Sequence, residues 1–245
     1  MLTESELTQF LSTPRVLDGG FTTEMERVEE VQVDTEGNDL WGACVLLDKP
    51  EMVIPVHKRF LNAGARILTT NTYRCTIQNL MKHHGKSPSE AREIGRTTVQ
   101  MARRAIQEWQ AETGSTDQVV LAGSVGPMAG VYYDDVVAGK HELTEYRGAY
   151  VQEEAIEEKL IAYHYEQAEM VHSAGCDIIA FETVPALVEA KCCLKALERL
   201  SGASRAWVTF SCKVRSLMHH FVCCSRWRIH IARRAFPRGL ADYTS

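Results

Sequence analysis

Long apolar segments are missing from this sequence of 245 residues. No run of about 18 apolar residues occurs, so the chain offers no candidate membrane span and we expect no membrane partner. Residues 1–7, MLTESEL, are acidic and do not form the apolar core of a secretory signal. The eight cysteines are therefore expected to be reduced thiols in a cytoplasmic protein.

A glycine-rich phosphate loop is also missing. No GxGxxG follows the first predicted strand at residues 15–18, and Asp18-Gly19-Gly20 alone is a poor phosphate loop. This absence argues against a dinucleotide-binding Rossmann domain, which carries that loop after its first strand.

Acidic residues are scarce only at the end of the chain. Residues 1–213 contain 21 Lys and Arg and 31 Asp and Glu, a balance of −10, whereas residues 214–245 contain six Arg and one Asp, a balance of +5. Such a shift is typical of a tail or a separate module. We therefore divide the chain into a body at residues 1–213 and an irregular basic tail at residues 214–245.

Short apolar segments alternate with longer amphipathic ones throughout the body. We predict five strands, at residues 15–18, 66–70, 119–122, 177–181 and 206–210. Helices are predicted from Asp48 to Gly64, from Ser87 through Trp109, at residues 156–174 and at residues 186–200. Strands that alternate with helices predict a parallel sheet with helical crossovers.

Two short patterns predict where helices begin. Ser87-Pro-Ser-Glu90 has the spacing of a capping box, with proline at the first helical position. Asp48-Lys-Pro-Glu51 has a similar spacing and also predicts a helix start.

Polar residues stand where the predicted strands end. Residues 63–72 and 174–183 repeat one pattern, and Asn71 and Glu182 occupy the same place in it. Asp18 and Ser124 follow two other strands. Barrels and open α/β sheets place their sites at this edge, so we predict a site there.

The carboxylates of Asp18 and Glu182 are suited to holding the ammonium group of an amino acid. Gly19 and Gly20 would let the backbone approach such a ligand closely. The alternative interpretation is that residues 18–20 form a simple turn and that Glu182 is a solvated strand end.

Six ordered motifs make the body resemble the homocysteine S-methyltransferase family over residues 12–213. They are RVLDGGFTTE at 15–24, LWGACVLLDKPE at 40–51, LTTNTY at 68–73, AGSVGP at 122–127, EYRGAY at 145–150 and FETVP at 181–185. The segment around Trp41 is more similar to the enzymes that use S-methylmethionine or S-adenosylmethionine than to the betaine-dependent ones.

The resemblance implies a (β/α)₈ TIM barrel that transfers a methyl group from a sulfonium donor to homocysteine and yields methionine. Asp18 and Glu182 would then bind the homocysteine amino group, while Gly19, Gly20, Asn71 and Ser124 would line the pocket. About five of the eight βα units are present, so we expect an incomplete barrel.

The family's zinc is implied to bind one cysteine in a Gly-x-Asn-Cys context and two in Gly-Gly-Cys-Cys. Neither motif occurs here, and Cys192-Cys193 lies in the predicted helix after the fourth strand. We therefore expect no metal ligands of the family type and no catalytic residues in this chain.

The tail offers two other interpretations. His219, His220, Cys223 and Cys224 are possible zinc ligands, but they match no CxxC or HxxxH spacing. The arginines of the tail suggest a nucleic-acid or membrane contact, although a patch this short is more often a disordered end, so we do not expect nucleic-acid binding.

Two function classes remain. The first is a truncated member of an enzyme family, inactive because the zinc-binding part is missing. The second is a non-catalytic binding or regulatory fragment.

The boundary at Lys213 generates a prediction about the transcript. Lys213-Val214-Arg215 can be encoded as AAG-GTR-AGR, which fits a splice donor, so we expect the tail to be translated from an intron. A frameshift or a gene-model error would give a similar protein. Sequencing the transcript across the Lys213 codon should find a spliced form that continues into the missing motifs, whereas transcripts that all continue to Ser245 would contradict this origin.

Overall fold

A computed structural model describes residues 2–28, 39–132, 155–200, 205–211 and 230–233, the last range by its backbone alone. The motif at residues 145–150 and the tail residues His219, His220, Cys223 and Cys224 lie outside these ranges. None of the helices in the described ranges is long and apolar enough to cross a bilayer.

Helices and strands alternate through the described residues. The α-helices are α1 Glu4–Phe10, α2 Phe21–Val28, α3 Val45–Asp48, α4 Val53–Asn62, α5 Ile77–His84, α6 Pro88–Thr113, α7 Ile156–Ser173 and α8 Leu187–Arg199. Short 3₁₀ turns cover Trp41–Cys44, Pro50–Met52 and Met128–Tyr132. The strands are β1 Ile67–Thr69, β2 Val120–Val125, β3 Ile178–Val184, β4 Arg205–Phe210 and β5 His230–Arg233.

The strands form one sheet in the order β1-β2-β3-β4-β5. Strands β1 to β4 are parallel neighbours, with pairs such as Leu68 with Leu121 and Ile179 with Ala206. Long helices connect them, as the alternating pattern predicts. The chain therefore adopts the mixed α/β fold expected from the sequence.

The first predicted strand, at residues 15–18, is reduced to one bridge between Leu17 and Ile67. The backbone N–H of Asp18 still donates to the carbonyl of Ile67 over 3.0 Å, so this segment lies parallel to β1. The end of the third predicted strand, at residues 119–122, is also corrected, because Gly123–Val125, predicted as a loop, continues β2. A buried strand can continue through Gly and Ser when neighbouring strands satisfy its backbone.

The basic tail contributes β5, which the sequence did not predict. It runs antiparallel to β4, with Ala232 opposite Ala206 and Ile231 opposite Trp207. A parallel neighbour would need a crossover connection, whereas an antiparallel one does not.

The two predicted helix starts differ in outcome. At Ser87 the capping box is complete, since Ser87 and Glu90 each accept a hydrogen bond from the other's backbone N–H. The predicted cap at Asp48 is wrong: Asp48 ends α3, and neither the turn at Pro50–Met52 nor α4 has a side-chain cap. The apolar face of α4 packs inward through Val53, Val56 and Leu61, which are buried, and through Phe60, which is partly buried.

The sheet has two apolar faces because alternate residues of a strand point to opposite sides. One face packs on the helices through residues such as Leu68, Leu121 and Phe181. The other, which we call the inner face, carries Ile67, Val120, Ala122, Ile178, Ala180 and Trp207. Leu7 and Phe10 of α1 pack on this inner face and cover it at the amino ends of the strands.

Helix α1 is also fixed by charge. The Arg205 guanidinium on β4 is almost completely buried and donates to Glu4 Oε1 over 2.6 and 2.8 Å and to the Thr8 hydroxyl. A buried cation needs such partners because an unpaired charge costs several kcal/mol to remove from water (roughly 3–5).

Truncation of Leu7 tests whether α1 closes the inner face. Leu7 is 2% exposed, so Leu7→Ala should lower the free energy of unfolding by about 2–5 kcal/mol through lost burial and a new cavity. Urea unfolding followed by circular dichroism measures this difference. Gln9→Ala, at an exposed position of the same helix, is the matched control and should change stability by less than about 0.5 kcal/mol. Equal effects of the two substitutions would show that α1 does not pack as described.

Candidate functional site

The inner face becomes polar at the carboxyl ends of the strands. Each polar residue follows an apolar inner-face residue by two positions and therefore continues the same face. These residues are Thr69 after Ile67, Ser124 after Ala122, Glu182 after Ala180 and Thr209 after Trp207. We call this layer the mouth; it lies at the edge where the sequence predicts a site.

Asp18 is half-buried at the mouth beside β1. Its carboxylate accepts hydrogen bonds from the backbone N–H of Thr69 over 2.7 Å and from the Thr69 hydroxyl over 3.1 Å. The pKa of Asp18 is raised from its usual 3.8 to about 7, chiefly by burial and also by the charge of Glu182, against the lowering effect of the Thr69 hydrogen bonds. The two predicted carboxylates therefore lie close enough to act on each other.

Glu182 lies at the end of β3 and accepts a short hydrogen bond from the Ser124 hydroxyl. Burial raises the pKa of Glu182, and the bond from Ser124 lowers it. The structure thus brings Asp18, Ser124 and Glu182 together from three different elements, as the sequence predicts. Two carboxylates without a basic partner among the described groups at the mouth favour a cationic ligand.

A β-bulge sets the direction of Glu182. The pairing of β3 with β4 shifts between Phe181 and Val184, and Thr183 has a φ of 60°. That conformation is strained for a β-branched residue. The Thr183 N–H donates to the Thr209 hydroxyl over 3.0 Å, which compensates for the interrupted ladder. Sequence patterns did not predict this bulge, although strained residues are common at functional sites.

Asn71 is buried at the end of β1, and its side chain does not point freely into the mouth. Its Nδ2 donates to the carbonyl of Gly42 over 3.1 Å and so holds the 3₁₀ turn at Trp41–Cys44. A side chain at Gly42 would meet the Thr22 hydroxyl at 1.8 Å, so this turn packs tightly against α2. Asn71 therefore positions the segment that presents Trp41, which is 43% exposed at a φ of 46°.

Gly19 and Gly20 are exposed beside Asp18. A Cβ at Gly19 would lie 3.2 Å from the ring of Phe60, and one at Gly20 would lie 3.3 Å from the Thr23 hydroxyl. A larger residue at either position would crowd α2 or α4, and the role predicted for these glycines in approaching a ligand stays a prediction.

The loop after β2 is held from the outer face of the sheet. The Tyr163 hydroxyl on α7 donates to the carbonyls of Gly126 and Pro127 over 3.3 Å. Glu189 on α8 accepts from the Met128 N–H over 2.8 Å, and its Oε1 lies 2.9 Å from His164 Nε2. This fully buried polar group, which the sequence did not single out, fixes the loop that borders the mouth.

The described residues do not fit a zinc site. Cys75, Cys176, Cys192 and Cys193 are buried and free, and burial raises the pKa of each thiol, to about 12 for Cys75 and Cys176. Zinc binds the thiolate, which burial disfavours. Within the described ranges, no three His, Cys, Asp or Glu residues are arranged to hold a metal ion. Cys192-Cys193 is thus part of the α8 packing surface.

The fold and the mouth define an α/β protein whose parallel sheet closes at one end on a helix and presents paired carboxylates at the other. The family model described as homocysteine S-methyltransferase matches residues 15–221. The chain therefore belongs to the homocysteine S-methyltransferase family, as the six motifs indicate. The match continues past Lys213, so the domain boundary predicted there stays a prediction.

The chain is similar to several enzymes of this family. It is 32% identical over 230 residues to the betaine-homocysteine S-methyltransferase of Drosophila melanogaster, covering 91% of this chain and 66% of that protein. It is 33% identical over 201 residues to the homocysteine S-methyltransferase YbgG of Bacillus subtilis, covering 81% of this chain and 58% of that protein. The chain thus spans less than two thirds of the length of these relatives.

A solved structure of the family is also covered only in part by this chain. The homocysteine methyltransferase MmuM from Escherichia coli, in its oxidized form, superposes with a TM-score of 0.70 at 29% identity, over 84% of this chain and 65% of MmuM. The metallated form of MmuM gives a TM-score of 0.69. A metal is thus present in a structure of the family.

The raised pKa of Asp18 predicts that Asp18→Asn stabilises the fold at alkaline pH. Between pH 3.8 and about 7 the folded state retains a proton that the unfolded chain releases, so ionised Asp18 destabilises the fold increasingly up to about pH 7. One pKa unit corresponds to about 1.4 kcal/mol, and partial exposure reduces the total, so we expect a gain of about 1–3 kcal/mol at pH 8 and little gain at pH 4.

Thermal unfolding from pH 4 to pH 8 measures this gain. Asp117→Asn is the matched control, because the bond and charge of Arg66 lower the pKa of Asp117. Asp117→Asn should therefore lower the stability of the protein above pH 3.8, which is the opposite of the effect expected for Asp18→Asn. A stability difference for Asp18→Asn that does not change with pH would contradict the burial of this carboxylate.

Proposed function

We propose that this chain carries the amino-acid-binding half of a homocysteine S-methyltransferase site. The observation that supports it is the pair of buried carboxylates, Asp18 and Glu182, which lie at one mouth and favour a positive partner. The homocysteine ammonium group would lie between them, since it offers three N–H donors and a positive charge. Gly19 and Gly20 would line this pocket, and Asn71 and Ser124 would form the wall behind it through their bonds to Gly42 and Glu182.

The reaction proposed for the family transfers a methyl group between two sulfur atoms. The homocysteine sulfur attacks the methyl carbon of a sulfonium donor, a new S–CH₃ bond forms, and the donor's S–CH₃ bond breaks with its electron pair. The thiol proton leaves to solvent, the donor departs as a neutral thioether, and the product is methionine. In this reaction Asp18 and Glu182 need only bind and orient the amino acid.

The donor proposed is S-methylmethionine or S-adenosylmethionine. Trp41 supports a cationic donor, because its side chain is exposed on the 3₁₀ turn that Asn71, at the end of β1, holds through Gly42. An aromatic face attracts a sulfonium or a quaternary ammonium cation by about 0.5–2 kcal/mol. The sulfonium class is favoured by the sequence around Trp41, and betaine is the competing donor.

The 245-residue chain by itself is proposed to bind homocysteine without methylating it. The cysteine motifs implied for the zinc are missing from the sequence, and four of the five described cysteines, all except Cys44, are buried. The second candidate function, a non-catalytic binding fragment, is supported by this combination of a formed mouth and missing metal ligands.

Calorimetric titration with L-homocysteine tests the binding proposal. The wild-type chain should bind it, and Asp18→Asn or Glu182→Gln should weaken binding at least about 10-fold, because each removes a charged partner of the ammonium group. 4-Mercaptobutanoate, which is homocysteine without its amino group, should not bind. Glu166→Gln, distant from the mouth on α7, is the matched control and should bind as the wild type does.

A methionine-formation assay tests the second half of the proposal. With homocysteine, S-methylmethionine and added zinc, the 245-residue chain should form no methionine above background. Methionine formation would overturn the inactive interpretation and would direct attention to His219, His220, Cys223 and Cys224 as ligands. Equal binding of homocysteine and 4-mercaptobutanoate would instead reject the carboxylate site.

A further inference from the structure

We infer that Ser124 is a positioning residue, which fixes the Glu182 carboxylate by donating its hydroxyl hydrogen bond to it, and that the hydroxyls of Thr70 and Thr72 hold Ser124 in place for this role. This inference rests on the proposed function for its consequence on binding, whereas the hydrogen bonds that carry it are independent of any ligand.

The backbone of Ser124 is bound by side chains where the strand ladder ends. The register of β1 with β2 stops at Thr69 and Ala122, and the last main-chain bond runs from the Thr70 N–H to the Ala122 carbonyl over 2.9 Å. Beyond it, the Ser124 N–H donates to the Thr70 hydroxyl over 2.9 Å. The Thr72 hydroxyl donates to the Ser124 carbonyl over 2.6 Å.

The two threonine hydroxyls therefore replace two positions of a backbone ladder. Their oxygen atoms lie 2.7 Å apart and form a hydrogen bond with each other, so they act as one unit. All three residues are buried, and a buried hydroxyl without partners is costly. This unit keeps Ser124 extended although β1 has turned away, and the extended conformation aims the Ser124 side chain along the inner face toward Glu182.

Ser124 has one side-chain hydroxyl, which it donates to Glu182. The residue is 2% exposed, so little of it is left for direct contact with a ligand. Glu182 keeps more exposure and directly precedes Thr183, the strained residue of the β3 bulge. The bulge sets the direction of the Glu182 side chain, and the Ser124 hydrogen bond holds its carboxylate in place.

The groups around Glu182 determine how the hydrogen bond from Ser124 affects the ionisation of its carboxylate. Asp18 is the charged group that faces it from the segment before α2, while β2 and β4 present the hydroxyls of Ser124 and Thr209 at the mouth. Ser124 therefore supplies the hydrogen bond that favours the ionised form of Glu182, against the effect of burial. Without it, Glu182 should hold its proton to higher pH and lose affinity for an ammonium group.

The test is a carboxyl titration that needs no ligand. Side-chain ¹³C chemical shifts of glutamate-labelled protein are followed from pH 4 to pH 9, and the Glu182 signal is identified by its loss in Glu182→Gln. Ser124→Ala should move the Glu182 midpoint to higher pH, and Ser124→Thr, which keeps the hydroxyl, should restore it. Thr69→Val is the matched control: it removes a hydroxyl at the mouth that bonds Asp18, and should leave the Glu182 midpoint in place.

Homocysteine binding supplies the second measurement. For Ser124→Ala, affinity should fall about 10-fold at pH 6.5 and recover toward wild type at pH 8.5, a dependence that a merely structural defect would not produce. Thr72→Val should shift the Glu182 midpoint in the same direction by a smaller amount, and it carries the test where Ser124→Ala does not fold. An unchanged Glu182 midpoint in a folded Ser124→Ala or Thr72→Val protein overturns the inference. A wild-type chain that binds no homocysteine overturns the proposed function only, because the titration still decides the role of Ser124.

Discussion

The burial of two neighbouring carboxylates, Asp18 and Glu182, is the constraint on which the mouth of this protein depends. Burial raises the pKa of both groups, and the charge of Glu182 adds to the increase at Asp18. The fold responds by giving each one its own hydroxyl donor, Thr69 for Asp18 and Ser124 for Glu182. A ligand with a positive charge would relieve a repulsion that hydroxyls only reduce. The arrangement therefore favours binding over stability, as is common at functional sites.

The inner face of the sheet makes this arrangement possible. Residues two positions apart point the same way, so one strand can contribute both to the apolar layer under α1 and to the polar layer at the mouth. Ala180 and Glu182 illustrate the rule on β3, and Ala122 and Ser124 illustrate it on β2. Small residues in the apolar layer leave room for α1, whereas the hydroxyls and carboxylates above them remain within reach of solvent.

Local signals in the sequence predicted the parts of the fold that local interactions decide. The capping box at Ser87 needs only residues three positions apart, and it formed as predicted. The similar pattern at Asp48 failed because the preceding segment folds into α3 and uses Asp48 as its last residue. The bulge at Thr183 had no local signal, since it arises from the pairing of β3 with β4.

The candidate site could be predicted at the level of which residues meet, because parallel strands bring their carboxyl ends to one edge. Asp18, Ser124 and Glu182 do meet there. The role of Asn71 could not be predicted in this way, since its amide bonds the backbone of Gly42, a contact between distant segments. The family membership follows from the six motifs. The chain covers 66% and 58% of the lengths of two relatives, so this sequence gives no prediction for the remaining part of those proteins.

The bond between Arg205 and Glu4 joins residues separated by 201 positions. During synthesis, α1 leaves the ribosome well before β4 and cannot complete its contacts until β4 has followed it. At about 5–20 residues per second, this delay amounts to roughly 10–40 seconds. For that time the apolar side chains of Leu7 and Phe10 lack the sheet they cover in the folded protein. Helix α1 is thus made long before the strand that secures it, and its apolar face stays exposed throughout the synthesis of the sheet.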